Sequence, residues 1–201
     1  MQRREHMKVS VFQKAKKGNY YCGDSYFYHE SDGKYICALA DGLGSGELAR
    51  ESSQIVMDVI REYRNESVKT IMKKSSEKLM GKRGVVLGIL RINFMTKQYT
   101  YSSIGNIGLM TINAQSTKKR NIPLAGYLSS YEKPFKEMTG ELEPDMIFIM
   151  FSDGVQAREV SNPYFHHREV EHITDTFAYL NQQPLEDDTT LIAMKYYEES
   201  L

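Results

Sequence analysis

The period of apolar and polar positions changes several times along the chain, and each change marks an element. Residues 9–12 read as a short strand, followed by a basic turn ending at Gly18-Asn19. DSYFYHE and KYICALA flank SDGK, and an Asp-Gly between two β-rich runs predicts a hairpin. Beyond the glycine-rich stretch DGLGSG, helical spacing joins Leu48, Ser52, Ile55, Val56, Val59 and Tyr63, and Ser45 is the expected cap. A second helix carries Val68, Ile71, Met72, Ser75 and Leu79 and stops at Gly81.

β structure then takes over. VVLGILRINF and YTYSSI predict another hairpin with its turn near Thr96-Lys97, and short strands follow around 108–113, 119–122 and 134–138. MIFIMF reads as a buried strand, 168–180 as a third helix with Val170, Ile173, Phe177 and Leu180 inward, and TLIAMKY as the last strand. This order predicts antiparallel sheets with segregated helices, since a doubly wound sheet would alternate strand and helix throughout.

Composition narrows the classes. The 201 residues make one domain, expected to span 1–201 with 1–7 readable as a disordered extension. Net charge is zero, so no basic footprint points to nucleic acid or to an anionic membrane surface. No apolar run approaches the roughly 18 residues of a membrane span, and the start MQRREHMKVSVF has no apolar segment of a secretory signal. Cys22 and Cys37 have neither metal-site nor disulfide spacing, and neither opens a cysteine-phosphatase loop.

Acids collect at strand ends. Pairing outward from a two-residue turn at Asp32-Gly33 sets Ser31 opposite Lys34 and, further along, Asp24 opposite Asp41. Facing Cα atoms lie about 4.5–5.5 Å apart, and opposed like charges there are destabilising. Either one carboxylate takes a proton or a cation sits between them. Asp153 in MIFIMFSDG ends an apolar strand, and Asp187-Asp188 in EDDTTLIAM stands just before one. In antiparallel sheets strand starts lie beside strand ends, so these acids are expected at one rim, as oxygen donors for Mg2+ or Mn2+. A single Asp-Gly is more simply a turn; the shared polarity of the set is what points to a site.

CGDS, ALADGLGSGELARES, FSDG and DDTT, in this order and at these separations, resemble the metal-dependent PPM (protein phosphatase 2C-like) serine/threonine phosphatases. The pattern is most similar to the short bacterial branch that includes SpoIIE, RsbU and RsbX, and GYLS adds to the likeness to the RsbX type. The resemblance implies an αββα sandwich of two antiparallel sheets flanked by helices and a centre of two Mn2+ or Mg2+ ions. Carried over residue by residue, Asp41 bridges both ions, Asp24 and the carbonyl of Gly42 join it at one, and Asp153 and Asp187 hold the other. Asp188 is the weaker candidate. Metal-activated water then attacks phosphorus without a phospho-enzyme, in keeping with the cysteine pattern.

For partners, the resemblance implies phosphorylated STAS-domain proteins of the stressosome (RsbS and RsbR type), a cytoplasmic monomer, and negative feedback on the general stress response. An RsbU-like action on an anti-anti-sigma factor is the alternative. Lys16, Lys17 and Arg83 are candidates for a phosphate-binding cation and read more simply as surface residues. His166, His167 and His172 read as surface, Asn106 as a turn residue that shapes the rim, and 122–137 as either a docking surface or a plain loop. Two rival readings stay open: DGLGSG also fits the Asp-x-Gly-x-Gly box of GHKL ATP-binding proteins, which needs an asparagine on an upstream helix, and the fold can serve as a non-catalytic binding module.

Overall fold

Two five-stranded antiparallel sheets lie face to face, with helices on both outer sides, in this computed structural model, which describes residues 5–122, 124–130, 134–156, 159, 163 and 168–198. In chain order the elements are β1 Met7–Lys14, β2 Asp24–Ser31, β3 Lys34–Gly42, α1 Glu47–Glu62, α2 Val68–Lys78, β4 Val85–Asn93 and β5 Gln98–Ile104. They continue with β6 Gly108–Ile112, β7 Lys118–Arg120, β8 Lys136–Glu141, β9 Ile147–Phe151, α3 Val170–Leu180 and β10 Thr189–Tyr196. One sheet has the order β1-β10-β9-β6-β7 and the other β2-β3-β4-β5-β8. This is the αββα sandwich expected above.

The central strands are apolar on both faces because both faces are covered. In β3, Cys37 and Leu39 join Phe148, Met150, Ile192 and Met194 in the core between the sheets. The alternate residues Ala38 and Ala40 pack with Val56, Ile60 and Ile71 of α1 and α2. On the other outer face, Ile149, Leu191 and Ala193 meet Ile173 and Phe177 of α3. Each buried Leu, Ile or Phe contributes about 1.5–3 kcal/mol, so three such layers hold the strand ends of both sheets in fixed positions. Among the described residues no helix is long and apolar enough to cross a membrane.

The β2–β3 hairpin closes through Asp32 at φ 52 and Gly33 at φ 72, the two left-handed residues of a type I′ turn. Its register is the expected one, with Asp24 opposite Asp41. The segment upstream of DGLGSG is thus a strand pair, so the GHKL box has no helix-borne asparagine there and that rival reading is withdrawn.

Several boundaries differ from expectation. The N-cap of α1 is Gly46 at φ 74, without a side-chain cap, and not Ser45. Its buried face includes the expected Ser52, Val56 and Val59 together with Ala49, Ser53, Met57 and Ile60, while Leu48 is exposed. The backbone of Ala49 packs directly against Gly42, which adds Ala49 to the buried face. β7 and β8 are shifted by one to three residues; both are largely exposed edge strands whose apolar pattern is weak. His166 and His167 lie outside the described residues.

Candidate metal centre

Asp24 opens β2 and Asp41 is the next-to-last residue of β3, so hairpin geometry alone sets the two carboxylates on neighbouring backbones. Asp153 lies two residues beyond β9, and Asp187 and Asp188 just precede β10, which pairs with β9. The sandwich then brings the two sheet ends together. Ser152 donates its hydroxyl to Asp24 Oδ2 at 2.7 Å, and Thr190 donates to the same oxygen at 2.6 Å. Ser152 and Thr190 are themselves linked, the Thr190 amide donating to Ser152 Oγ at 2.9 Å. One oxygen of Asp24 therefore fastens sheet to sheet.

Its other oxygen does not. Asp24 is completely buried, yet Oδ1 has no hydrogen-bond partner among the described residues. Asp188 shows the same asymmetry: Oδ1 accepts from the Lys16 amide at 2.9 Å, while the buried Oδ2 is unpartnered. A buried acceptor left unpaired costs about 1–3 kcal/mol, and more if charged. These free oxygens are positioned by bonds to their own partner atoms, which is how a carboxylate ligand is usually oriented.

The charges oppose one another. Burial, then the nearby carboxylates of Asp24, Asp153, Asp187 and Asp188, pushes Asp41 up to about 9, so without a cation it keeps a proton at neutral pH. Burial also raises Asp24, to about 6, against the hydrogen bonds from Thr190 and Ser152 that favour its ionised form. Asp153 is raised by burial and by Asp187, and the hydrogen bond from Asn106 opposes the shift. That bond runs from Asn106 Nδ2 to Asp153 Oδ2 at 2.8 Å, so Asn106 bears on the rim directly.

The acids share a rim without converging on one point: among the described residues no three His, Cys, Asp or Glu side chains are gathered as a metal-holding group. The donor chemistry nonetheless fits hard divalent cations: all oxygen, an excess of negative charge, and two buried oxygens with no partner. Gly42 fits too. A Cβ there would lie 2.0 Å from the Ala49 carbonyl oxygen, so only glycine lets the turn sit this close to α1.

Sequence reading missed the supporting residues. Ser152 is the first residue of SDG and Thr190 the last of DDTT, so the hydroxyls flanking the acids were the available signal. Arg50 Nη1 donates to the Asp24 carbonyl at 2.8 Å and Ser53 Oγ to the Gly23 carbonyl at 2.6 Å, both from the first turns of α1. Neither has a signature in sequence. Asp188, the weaker candidate, is the buried member of its pair and Asp187 the exposed one. Lys16 meets the rim through its backbone amide. Arg83 is exposed and donates to the Leu43 carbonyl at 3.2 Å.

Known proteins match this chain in sequence and fold. The model of the family Stage II sporulation protein E (SpoIIE) matches residues 31–197. Phosphoserine phosphatase RsbX of Bacillus subtilis (strain 168) is 35% identical over 188 residues, covering 94% of each chain. A crystal structure of RsbX in complex with magnesium superposes with a TM-score of 0.87 at 34% identity, covering 96% of each chain. The PP2C phosphatase domain of SpoIIE from Bacillus subtilis has the same fold, with a TM-score of 0.77 at 16% identity over 97% of this chain and 64% of that one.

Proposed function

The chain belongs to the SpoIIE family of PPM phosphatases, and from that premise we propose that it is a metal-dependent protein serine/threonine phosphatase acting on stressosome proteins. The observation that carries the metal dependence is the opposition of Asp24 and Asp41, with Asp24 Oδ1 buried and unpartnered. Asp24, Asp41 and the Gly42 carbonyl would hold one ion, and Asp41, Asp153 and Asp187 the second. When bound, Mg2+ or Mn2+ supplies Lewis acidity and a water of lowered pKa, which makes a nucleophile available at neutral pH.

The chain's own residues prepare this site. Ser152 and Thr190 fix Asp24 through Oδ2, leaving Oδ1 as the free donor. Arg50 and Ser53 tie down the carbonyls on either side of the strand start, so Asp24 is held at backbone and side chain alike. Asn106 orients Asp153. Cys22 and Cys37 are both buried, and burial raises each thiol to about 12, which leaves no thiolate nucleophile at neutral pH.

The substrates we propose are phosphoserine or phosphothreonine on STAS-domain proteins of the RsbS and RsbR type, with negative feedback on the stress response in the cytoplasm as the role. Similarity to RsbX over almost the whole of both chains supports this choice. Hydrolysis of an aryl phosphate with Mn2+, compared between wild type and Asp41→Asn, tests the chemistry; equal rates would refute it. Parallel incubation with phosphorylated RsbS-type and RsbV-type proteins tests the substrate, and faster turnover of the RsbV type would replace our assignment with an RsbU-like one.

A further inference from the structure

Beside the Asp41-Gly42 turn lies an open pocket of about 500 Å³ whose walls include Leu43, Gly44, Arg83, Tyr127, Ser129 and Ser130. It is attached to the turn by the backbone: the Leu43 amide donates to the Gly84 carbonyl at 2.9 Å, and the Leu43 carbonyl accepts from Arg83. The far wall is attached as well, because Val85 and Leu128 pair as an isolated antiparallel bridge. Arg83 is seated by the lack of a side chain at Gly44, where a Cβ would lie 2.1 Å from Nη1. The guanidinium is thus held over the loop that follows the metal-binding turn.

Among the described residues its charge is unpaired. The neighbouring Lys82 is paired with Glu51 at 2.5 Å, but Arg83 has no carboxylate partner among the described residues. Only Nη1 is used, on one carbonyl, and the remaining donors of a planar guanidinium suit a carboxylate in two-point contact. The pocket has room for several side chains of a polypeptide whose phosphate reaches the carboxylate rim. That rim repels acidic segments by itself, so an open cation at its edge changes which segments can approach.

Resting on the phosphatase reading above, we propose that Arg83 is a specificity-determining residue that pairs with an Asp or Glu close in sequence to the phosphoserine or phosphothreonine of the substrate. Three phosphoserine peptides, alike except for acidic residues, alanines or lysines beside the phosphoserine, test it with Mn2+ present. Wild type should show a kcat/KM about fivefold higher for the acidic peptide than for the alanine one, the scale of one exposed ion pair, with the difference in KM. Arg83→Gln should bring that ratio to one or below, and Arg83→Glu should turn the preference toward a lysine-flanked peptide. The ratio is internal to each protein, so any general loss from releasing Leu43 cancels. An active wild type with the same ratio as Arg83→Gln overturns the proposal alone. A wild type that hydrolyses none of the peptides and no aryl phosphate overturns the phosphatase reading with it.

Discussion

Asp-Gly stands at both ends of β3, and these two of its three copies have opposite fates. Asp32-Gly33 precedes the strand as an exposed type I′ turn, with both residues in the left-handed region. Asp41-Gly42 ends the strand half inside the protein, with Asp41 facing Asp24 and Gly42 pressed on the Ala49 backbone. Identical residues nine positions apart therefore do unrelated work. At the first, Asp and Gly are chosen for backbone conformation, and solvent screens the charge. At the second the carboxylate is partly desolvated among four others, and glycine is needed for lack of volume. Motif identity says little; burial and the company of like charges decide.

The widest separation between the two turns is expected in activity. Asp41→Asn should lower Mn2+-dependent aryl phosphate turnover about a hundredfold or more, the scale of losing one preorganised charge-stabilising group. Asp32→Asn should stay within about twofold, because Asn-Gly serves a type I′ turn equally well. A large loss at Asp32 would break the contrast.

Stability should separate the glycines next. Gly42→Ala drives a methyl into the Ala49 carbonyl, where nothing flexible can yield, and should cost about 3 kcal/mol in urea unfolding. Gly33→Ala has free space, with Met95 the nearest neighbour at 3.6 Å, and should cost only the left-handed strain of about 1–2 kcal/mol.

A smaller effect tests whether the Asp41 end is organised through Asp24. Ser152→Ala removes one of the two hydroxyls on Asp24 Oδ2 and should weaken Mn2+ affinity about tenfold by calorimetry, as loss of an outer hydrogen bond to a ligand does. An unchanged affinity would leave Ser152 as a packing residue only.

A further effect concerns pH in the metal-free protein. Burial and its carboxylate neighbours place Asp41 at about 9 when folded, against an ordinary 3.8. The folded state thus holds its proton more tightly than the unfolded chain, and stability falls with rising pH wherever the native state binds more protons. The Asp41 contribution is fully present below about pH 4 and is lost as pH rises through about 9. The melting temperature should decline across that window, by about 2–4 °C per kcal/mol lost. Asp41→Asn should flatten the decline, and Asp32→Asn should leave it as it is. A decline of equal slope in Asp41→Asn would show that the rim acids are not the source.

Much of the fold was legible because strands covered on both faces read as apolar runs and helices read at their own period. The register of β2 against β3 was legible for a sharper reason. A two-residue turn leaves one way to pair the strands, and a slip of one residue would carry every side chain to the wrong face. The edge strands β7 and β8 were less clear because solvent on their faces removes the apolar signal. The close approach of α1 to the Asp41-Gly42 turn was not legible, since the contact of Ala49 with Gly42 joins two backbones and involves no apolar stripe.

By itself the sequence determined that Asp24 and Asp41 face one another and that further acids stand at strand ends. Both follow from local pairing and from the two-residue period of a strand. Only the tertiary structure decided that Ser152 and Thr190 cross from one sheet to fasten Asp24 of the other, and that Asp188 is buried while Asp187 is exposed. It likewise decided that Arg83 stands beside the turn on the Leu43 carbonyl, with no carboxylate partner among the described residues. These outcomes depend on how two sheets and a helix pack together, and that packing is set by the whole core.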